Sequence, residues 1–337
     1  MMKLRLSPAT ERRLKNFKKN RIAMGSVILL GLALVASLAS ELIANDRPYV
    51  MKYDDKIYFP TFREPLAAEL GITDSYTVDY AKLDLATHGW AVFPPVHFNP
   101  LQSNANVETY PSPPSLNNPM GTDDRGRDVF ARLLYGFRIS FVYAIGVWLL
   151  TYIVGVTFGL SMGFFGGWVD FAGQRLVEVM SSVPQFFLLI ILISIFEPSL
   201  TLLIAVTAVF GWISISYYTR AEGLKLRKLE FVESARALGL PTWRILLKHV
   251  LPNALTPIIT FSPFAIAAGI TGLAALDYLG FGLAPPTPSW GELLNQAKKN
   301  FTTAWWLAFF PSLALFSTLT LLNFVGEGLR NAFDPRK

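Results

Sequence analysis

The sequence predicts an all-α integral membrane protein with six transmembrane helices, and three observations carry that expectation. Of 337 residues, 52% are hydrophobic and 16% charged, with a mean hydropathy of +0.38; an average soluble domain carries roughly 25% charged residues. Six stretches are long and apolar enough to cross a hydrocarbon core about 30 Å thick, which takes about 20 residues of helix. Lys and Arg gather beside particular stretches instead of spreading along the chain. This composition argues against a soluble enzyme or a disordered chain, and the absence of cysteine excludes thiolate metal sites and thiol catalysis.

The six stretches are 22–44, 139–165, 176–196, 200–218, 254–276 and 305–325. The first is too long for a cleaved signal peptide, and no small-x-small site is followed by polar chain, so it reads as a retained anchor. The third is interrupted by Glu178 and Pro184; proline is tolerated in a membrane helix when neighbours satisfy the freed carbonyl.

Orientation follows from the basic flanks. Residues 1–21 hold eight basic residues, among them Lys3, Arg5, Arg12 and Arg13, against the single acid Glu11. Residues 219–252 hold seven basic against three acidic residues, whereas 45–138 hold nine against twelve. The N-terminus and the 219–252 loop are therefore expected in the cytoplasm. With six spans the C-terminus, carrying Arg330, Arg336 and Lys337, is expected there too. The net charge of +6 is thus membrane topology, next to lipid, and not a nucleic-acid surface.

The chain divides on this reading into a basic tail (1–21), a first span (22–44), a polar extracytoplasmic segment (45–135), a core of five spans (136–328) and a short tail (329–337). The polar segment is rich in Pro and Tyr and is expected to form an ordered cap of short strands and turns, with a hairpin at Tyr53 to Tyr58 turning on Asp54-Asp55. In the second span Gly155, Gly159, Gly163 and Gly167 recur every four residues, one face of a helix, which lets another backbone approach closely. Packing within the chain is the favoured partner.

Between the fourth and fifth spans, in a loop of about 221–252, Phe231, Ala235 and Leu238 share one face of a short helix. Gly239 sits where a helix ends in a left-handed residue, and Pro241 suits the first turn of a second helix running to Val250. This helix–glycine–helix element is too short in apolar residues to span.

Here the sequence resembles a known family. Glu233-Ser234-Ala235, then Gly239, then Leu251-Pro252, resembles the EAA-x3-G-x9-I-x-L-P loop of ABC importer permeases, with Ser234 for the first alanine and His249 for the isoleucine. GTDDRGRDV (121–129), LGFGLAPPTPSWGE (279–292) and GEGLRNAFDP (326–335) are similar to segments of dipeptide and oligopeptide permeases. Glu41 to Asp46 and Ile57 to Pro60 look like Yej-type permeases for oligopeptides and microcin C. The resemblance implies a type I ABC importer permease fold in a bacterial inner membrane. It further implies that the 221–252 loop couples to an ATPase through Phe231, Glu233, Ser234, Ala235, Leu238, Gly239, Leu251 and Pro252. The implied partners are a second homologous permease, two ATPase subunits or one fused double ATPase, and an extracytoplasmic peptide-binding protein. The frequent Tyr and Trp of 45–135 are expected to meet either that binding protein or the partner permease.

The residues agree with a subunit powered from outside. There is no Gly-x4-Gly-Lys-Ser/Thr phosphate cradle, and the dipeptide Gly-Lys does not occur. No chain of acids and histidines lies mid-span, as proton-coupled carriers need. His88, His97 and His249 are scattered outside the spans. Neither catalysis, a cofactor nor a metal is expected.

Overall fold

Each of the six apolar stretches falls on helix in the computed structural model, which describes residues 8–72, 76 and 78–334. Lys3, Arg5, Arg336 and Lys337 of the two basic tails, and the last residue of the GEGLRNAFDP segment, lie outside the described residues. Helix α1 (Pro8–Lys19) is followed by α2 (Arg21–Leu38). Asn20 between them accepts the Ala23 N–H at 3.1 Å, which satisfies one of the amides a helix start leaves open. One further turn, α3 (Ser40–Ile43), ends the first apolar stretch. The chain forms two compact units by its own contacts: one is built from Gly31–Ser140 and Ala274–Phe316, the other from the described part of Met1–Leu30, Phe141–Leu273 and Ser317–Lys337.

The first unit contains the polar segment. Strands β1 (Val50–Tyr53), β2 (Lys56–Tyr58) and β3 (Gly89–Val92) make an antiparallel sheet in the order β2-β1-β3. The expected hairpin is β1-β2: Asp54 and Asp55 take φ of 45° and 62°, the left-handed pair that a two-residue hairpin turn needs. Aspartate tolerates this region because its short side chain bonds locally. The sheet covers a small core of Met51, Tyr53, Ala67, Leu70, Val78 and Tyr80, and the turn α4 (Leu85–His88) precedes β3.

Helix α5 (Val129–Phe165) is longer than the span read from hydropathy, because it begins ten residues earlier, in a stretch interrupted by Arg132 and Arg138. Asp128 caps it by accepting the Ala131 N–H at 2.7 Å. It ends at Gly166 and Gly167, with φ of 66° and 52°. Gly167 therefore opens the next helix with a positive φ and is not the fourth member of the glycine stripe.

The third apolar stretch is not one helix. It is α6 (Gly167–Ser182) and α7 (Gln185–Ile195), bent by 67° at Val183-Pro184. Proline offers no N–H and drives the preceding residue out of helix, and Val183 is extended with ψ 118°. Helix α6 starts earlier than hydropathy suggests because Asp170, Gln174 and Arg175 dilute its apolar character. Helix α8 (Leu200–Leu226) follows, capped by Ser199.

The register of α5 on α8 decides how often the chain crosses. Gly146 abuts Ile204, Gly155 the Trp212 carbonyl, Gly159 the Ser216 carbonyl and Gly163 the Arg220 carbonyl. Both numbers rise together, so the helices run parallel. Parallel neighbours need a return crossing between them. The 16 and 11 residues of α6 and α7, about 40 Å of helix at 1.5 Å per residue, supply it. Counted as one broken span, the bent pair brings the candidate spans among the described residues from five to six.

After α8 come α9 (Glu230–Ala237), α10 (Thr242–Ile245), a wide π turn (Leu246–Val250), α11 (Leu251–Asn253) and α12 (Leu255–Leu279). The π turn stands immediately before Pro252, whose ring would clash with the carbonyl of a regular helix four residues back. Helices α13 (Trp290–Lys299) and α14 (Trp305–Phe333) complete the chain.

Candidate functional site

The helix–glycine–helix element is anchored from one side. Val232, Ala235, Ile245 and Val250 are buried in a cluster with Leu160 and Phe164 of α5 and Leu226 of α8, and Leu240 and Leu251 pack against its edge. Leu238 ends α9. The Gly239 N–H donates to the Arg236 carbonyl at 2.9 Å and the Leu240 N–H to the Ala235 carbonyl at 3.2 Å, the paired bonds of a Schellman cap. Gly239 takes φ 75°, a conformation that costs other residues energy.

The opposite side of α9 is open. Phe231 is 38% exposed and Leu238 80%, and Glu233 and Ser234 lie between them on the outside. Pro252 is exposed and Leu251 half-buried. Ala235 corrects the expectation of an outward apolar trio. It is only 4% exposed, because α9 has two apolar edges: Val232 and Ala235, three residues apart, turn inward, and Phe231 and Leu238 turn outward. The available face is Phe231–Glu233–Ser234–Leu238.

The glycine stripe meets α8. A methyl group built at Gly155, Gly159 or Gly163 would lie inside van der Waals contact of a backbone carbonyl, those of Trp212, Ser216 and Arg220 respectively. Gly223 approaches Gly163 backbone to backbone, and the Thr219 hydroxyl donates to the Gly155 carbonyl at 3.2 Å. Below this seam Arg220 holds Asp170 of α6 at 2.7 Å.

Helices α5, α8 and α12 leave between them a groove of about 400 Å³. Its wall mixes aromatic and hydroxyl groups: Trp148 and Tyr152, Thr207 and Ser214, Tyr218 and Phe261. The hydroxyls of Tyr143 and Thr207 are 2.8 Å apart, and Trp148 Nε1 donates to Ser262 Oγ at 3.0 Å. Gly272 on the same wall has nothing within 4 Å of its would-be side chain. These lining residues carry no motif and were not expected from the sequence.

The other unit holds the GTDDRGRDV and PPTPSWGE segments together through buried charge. Arg132 is 0% exposed, pairs with Glu292 and donates Nη1 to the Pro100 carbonyl at 2.9 Å. Arg127 donates Nε to Asp123 at 2.7 Å and Nη2 to Glu292 at 3.1 Å. Two arginines thus face two carboxylates. Ser289 caps α13 by accepting the N–H groups of Gly291 and Glu292, and its hydroxyl donates to Asp277. The Ser289-x-x-Glu292 spacing is a helix-start signature that would have placed α13. Trp290 Nε1 donates to the Leu133 carbonyl at 2.9 Å, and Trp306 Nε1 to that of Thr122 at 3.0 Å. Among the described residues no group of three or more acidic or histidine side chains is placed to hold a metal.

The family described as binding-protein-dependent transport system inner membrane component matches residues 155–337. The chain is 41% identical over 338 residues to the inner membrane ABC transporter permease protein YejE of Escherichia coli strain K12, covering 99% of each. It is 37% identical to the peptidoglycan transport system permease protein YejE of Agrobacterium fabrum, over 98% of this chain and 94% of that one. It is 33% identical to the oligopeptide transport system permease protein OppC of Bacillus subtilis, over 73% and 81%. A structure of the MetNI methionine ABC transporter in an inward-facing conformation superposes over 61% of this chain and 98% of that one, with a TM-score of 0.50 at 18% identity, a likeness of fold. This chain is a multi-pass inner-membrane protein belonging to the family of binding-protein-dependent transport system inner membrane components.

Proposed function

We propose that the chain is one permease half of an ATP-driven importer of oligopeptides, peptidoglycan-derived and microcin C-like peptides among them. The peptidoglycan and oligopeptide transport systems to which the Agrobacterium and Bacillus relatives belong support this substrate class. A second homologous permease completes the path. Two ATPase subunits, or one fused double ATPase, hydrolyse ATP on the cytoplasmic side, and an extracytoplasmic binding protein delivers the peptide. Residues 1–21, the loop of about 221–252 and the C-terminus face the cytoplasm, and 45–135 face outward, as the basic flanks direct. The groove of α5, α8 and α12 is this subunit's share of the path.

The observation that carries the reading is the two-sided helix α9. Its inner edge is locked into the core of α5 and α8 through Val232 and Ala235. Its outer face presents two large apolar side chains and the carboxylate of Glu233 without covering. Exposed anchors at such spacing are how a short helix is read by a groove. A push on α9 is therefore transmitted directly to the spanning helices. Glu233→Lys should leave the permease folded and reduce the amount of ATPase that co-purifies with it. Full recovery of ATPase, with peptide uptake still coupled to ATP in vesicles, would reject Glu233 as a contact.

A further inference from the structure

Helix α2 has 18 residues, about 27 Å at 1.5 Å per residue, close to the roughly 30 Å of a hydrocarbon core. Its end remote from the basic tail, at Val35 and Leu38, therefore lies near the boundary between acyl chains and headgroups. In the unit built from Gly31–Ser140 and Ala274–Phe316, a groove of about 440 Å³ opens at this end. Val35, Leu38 and Leu42 line it from one side, and Thr61 and Phe62 from the other. A loop of the polar segment, just after β2, has thus come back to the level of the membrane helix.

The loop is held firmly, and it displays an apolar ring. The Thr61 N–H donates to the Pro48 carbonyl at 3.1 Å, and its hydroxyl lies 3.0 Å from the carbonyls of both Arg47 and Pro48. Arg47 pairs with Glu64 at 2.7 Å. The N–H groups of Phe62 and Arg63 both donate to the Phe59 carbonyl, at 3.0 and 2.9 Å, which closes a tight turn. The Tyr49 hydroxyl, at the start of β1, donates to the Leu42 carbonyl of α3 and ties the sheet to the helix end. Yet Phe62 is 73% exposed, and Phe59 and Leu66 on either side of it are exposed too. An ordered turn that shows large apolar side chains marks a contact surface.

The other wall of the groove says what the contact is. Leu32, Val35, Leu38 and Leu42 fall on one helical face and are all exposed. They are large aliphatics, not the small residues through which membrane helices pack on one another, and they belong to or directly continue a span. The groove is therefore continuous with the lipid-facing surface of α2. We propose that Phe62 anchors the polar segment in the membrane at this end of α2. Its ring sits at the acyl–headgroup boundary, a lipid acyl chain fills the groove against Val35 and Leu38, and the exposed guanidinium of Arg63 meets headgroup phosphates. The inference needs α2 to cross the bilayer and is independent of which solute is translocated.

The chain has no cysteine, so Phe62→Cys, Leu32→Cys and Leu116→Cys each give a single attachment point for a nitroxide. Residue 32 is exposed further down α2, and residue 116 is fully exposed in the polar segment. The full chain is placed in nanodiscs of phosphatidylethanolamine and phosphatidylglycerol. Collisions of the nitroxide are measured with oxygen, which concentrates in hydrocarbon, and with a nickel chelate, which stays in water. The oxygen-to-nickel ratio at 62 should rise above that at 116, towards that at 32. A second measurement needs no substitution: a phospholipid with a diazirine in its acyl chain, illuminated with the parent protein, should mark the tryptic peptide 57–63. A ratio at 62 equal to that at 116 would overturn the proposal, since the loop would then stand in water. So would a nitroxide at 62 reached by neither reagent, the sign of a protein cover, or an unmarked 57–63 peptide beside a marked α2.

Discussion

The α5–α8 seam and the clamp that joins the 121–132 and 286–292 segments solve the same problem, holding distant chain segments in fixed register, by opposite means. The seam uses absence. Three glycines let carbonyls of α8 come where side chains would stand, so the attraction is dispersion and close backbone contact, the usual adhesive where lipid removes the hydrophobic driving force. The clamp uses presence: three buried charges, Asp123, Arg127 and Arg132, and the partly buried Glu292, tolerable only because each meets an opposite one. The seam should therefore fail by overpacking, gradually and with residue size. The clamp should fail on the loss of one member, because the others become buried charges without compensation.

The largest expected effect is at the clamp. Glu292→Ala leaves Arg127 and Arg132 sharing Asp123, and breaking a buried pair from one side costs about 3–5 kcal/mol. We expect loss of folded protein from the membrane, read as proteolysis at 121–136 and a depressed unfolding temperature. The double variant Arg132→Met with Glu292→Leu should recover part of the loss, since apolar replacement of a whole buried pair is often neutral. A single Glu292→Ala as stable as the parent would show that the clamp is ornament.

Next comes the seam. Gly159→Leu drives a side chain into the Ser216 carbonyl and Thr219, and overpacking costs about 1–3 kcal/mol. Ile153→Ala, at a position 58% exposed on the same helix, should cost little. Pulling α5 from α8 should lower the yield of assembled protein in the first variant only. Equal yields would remove the seam from the list of structural contacts.

Gly239→Val tests a third device, backbone conformation alone. Nothing lies within 4 Å of its would-be side chain, so crowding has no part. A β-branched residue at φ 75° is strained by about 1–3 kcal/mol, and the strain stays local to the Schellman cap. Gly239→Asn should be milder, because asparagine visits this region. We expect peptide uptake to fall in the order valine, asparagine, glycine while the membrane level holds. Valine with full uptake would show that the cap does not position α9.

The seam was legible in the sequence because a spacing of four is a local period, visible without knowledge of the neighbour. The same spacing misled at Gly167, where a positive φ, not helix packing, is the reason for glycine. The hairpin was legible from Asp54-Asp55 for a similar reason: the turn chemistry sits in adjacent residues. The clamp was not, since Arg132 and Glu292 are 160 residues apart and no local pattern links them; the two motifs were noticed by family resemblance, without their mutual contact. On α9 the three-and-four periodicity was correct, but an eight-residue helix with two apolar edges does not announce which edge its own protein will bury. The start of α6 was hidden because Asp170, which lowers its hydropathy, is satisfied by Arg220 from another helix.

The smallest expected effect on stability, and the sharpest contrast with the seam, is at Gly272. It is a helical glycine of α12 on the groove wall, with open space around it. Replacing it by phenylalanine removes a poor helix former, and the added Cβ meets no atom within 4 Å while the ring enters the groove, so the stability of the fold should change by less than about 1 kcal/mol in either direction. The same side chain occupies a groove of about 400 Å³, and a phenyl group takes up a large part of the width a peptide would need. If the groove is this subunit's share of the path, Gly272→Phe should give a fully assembled complex with ATPase activity and little uptake, and Gly272→Ala should transport normally. Glycine to leucine at 159 would then lose transport by losing the complex, and glycine to phenylalanine at 272 would lose transport with the complex intact. Uptake by Gly272→Phe at the parent rate would place the path on another face of the α5–α8–α12 group and leave the groove as a packing defect.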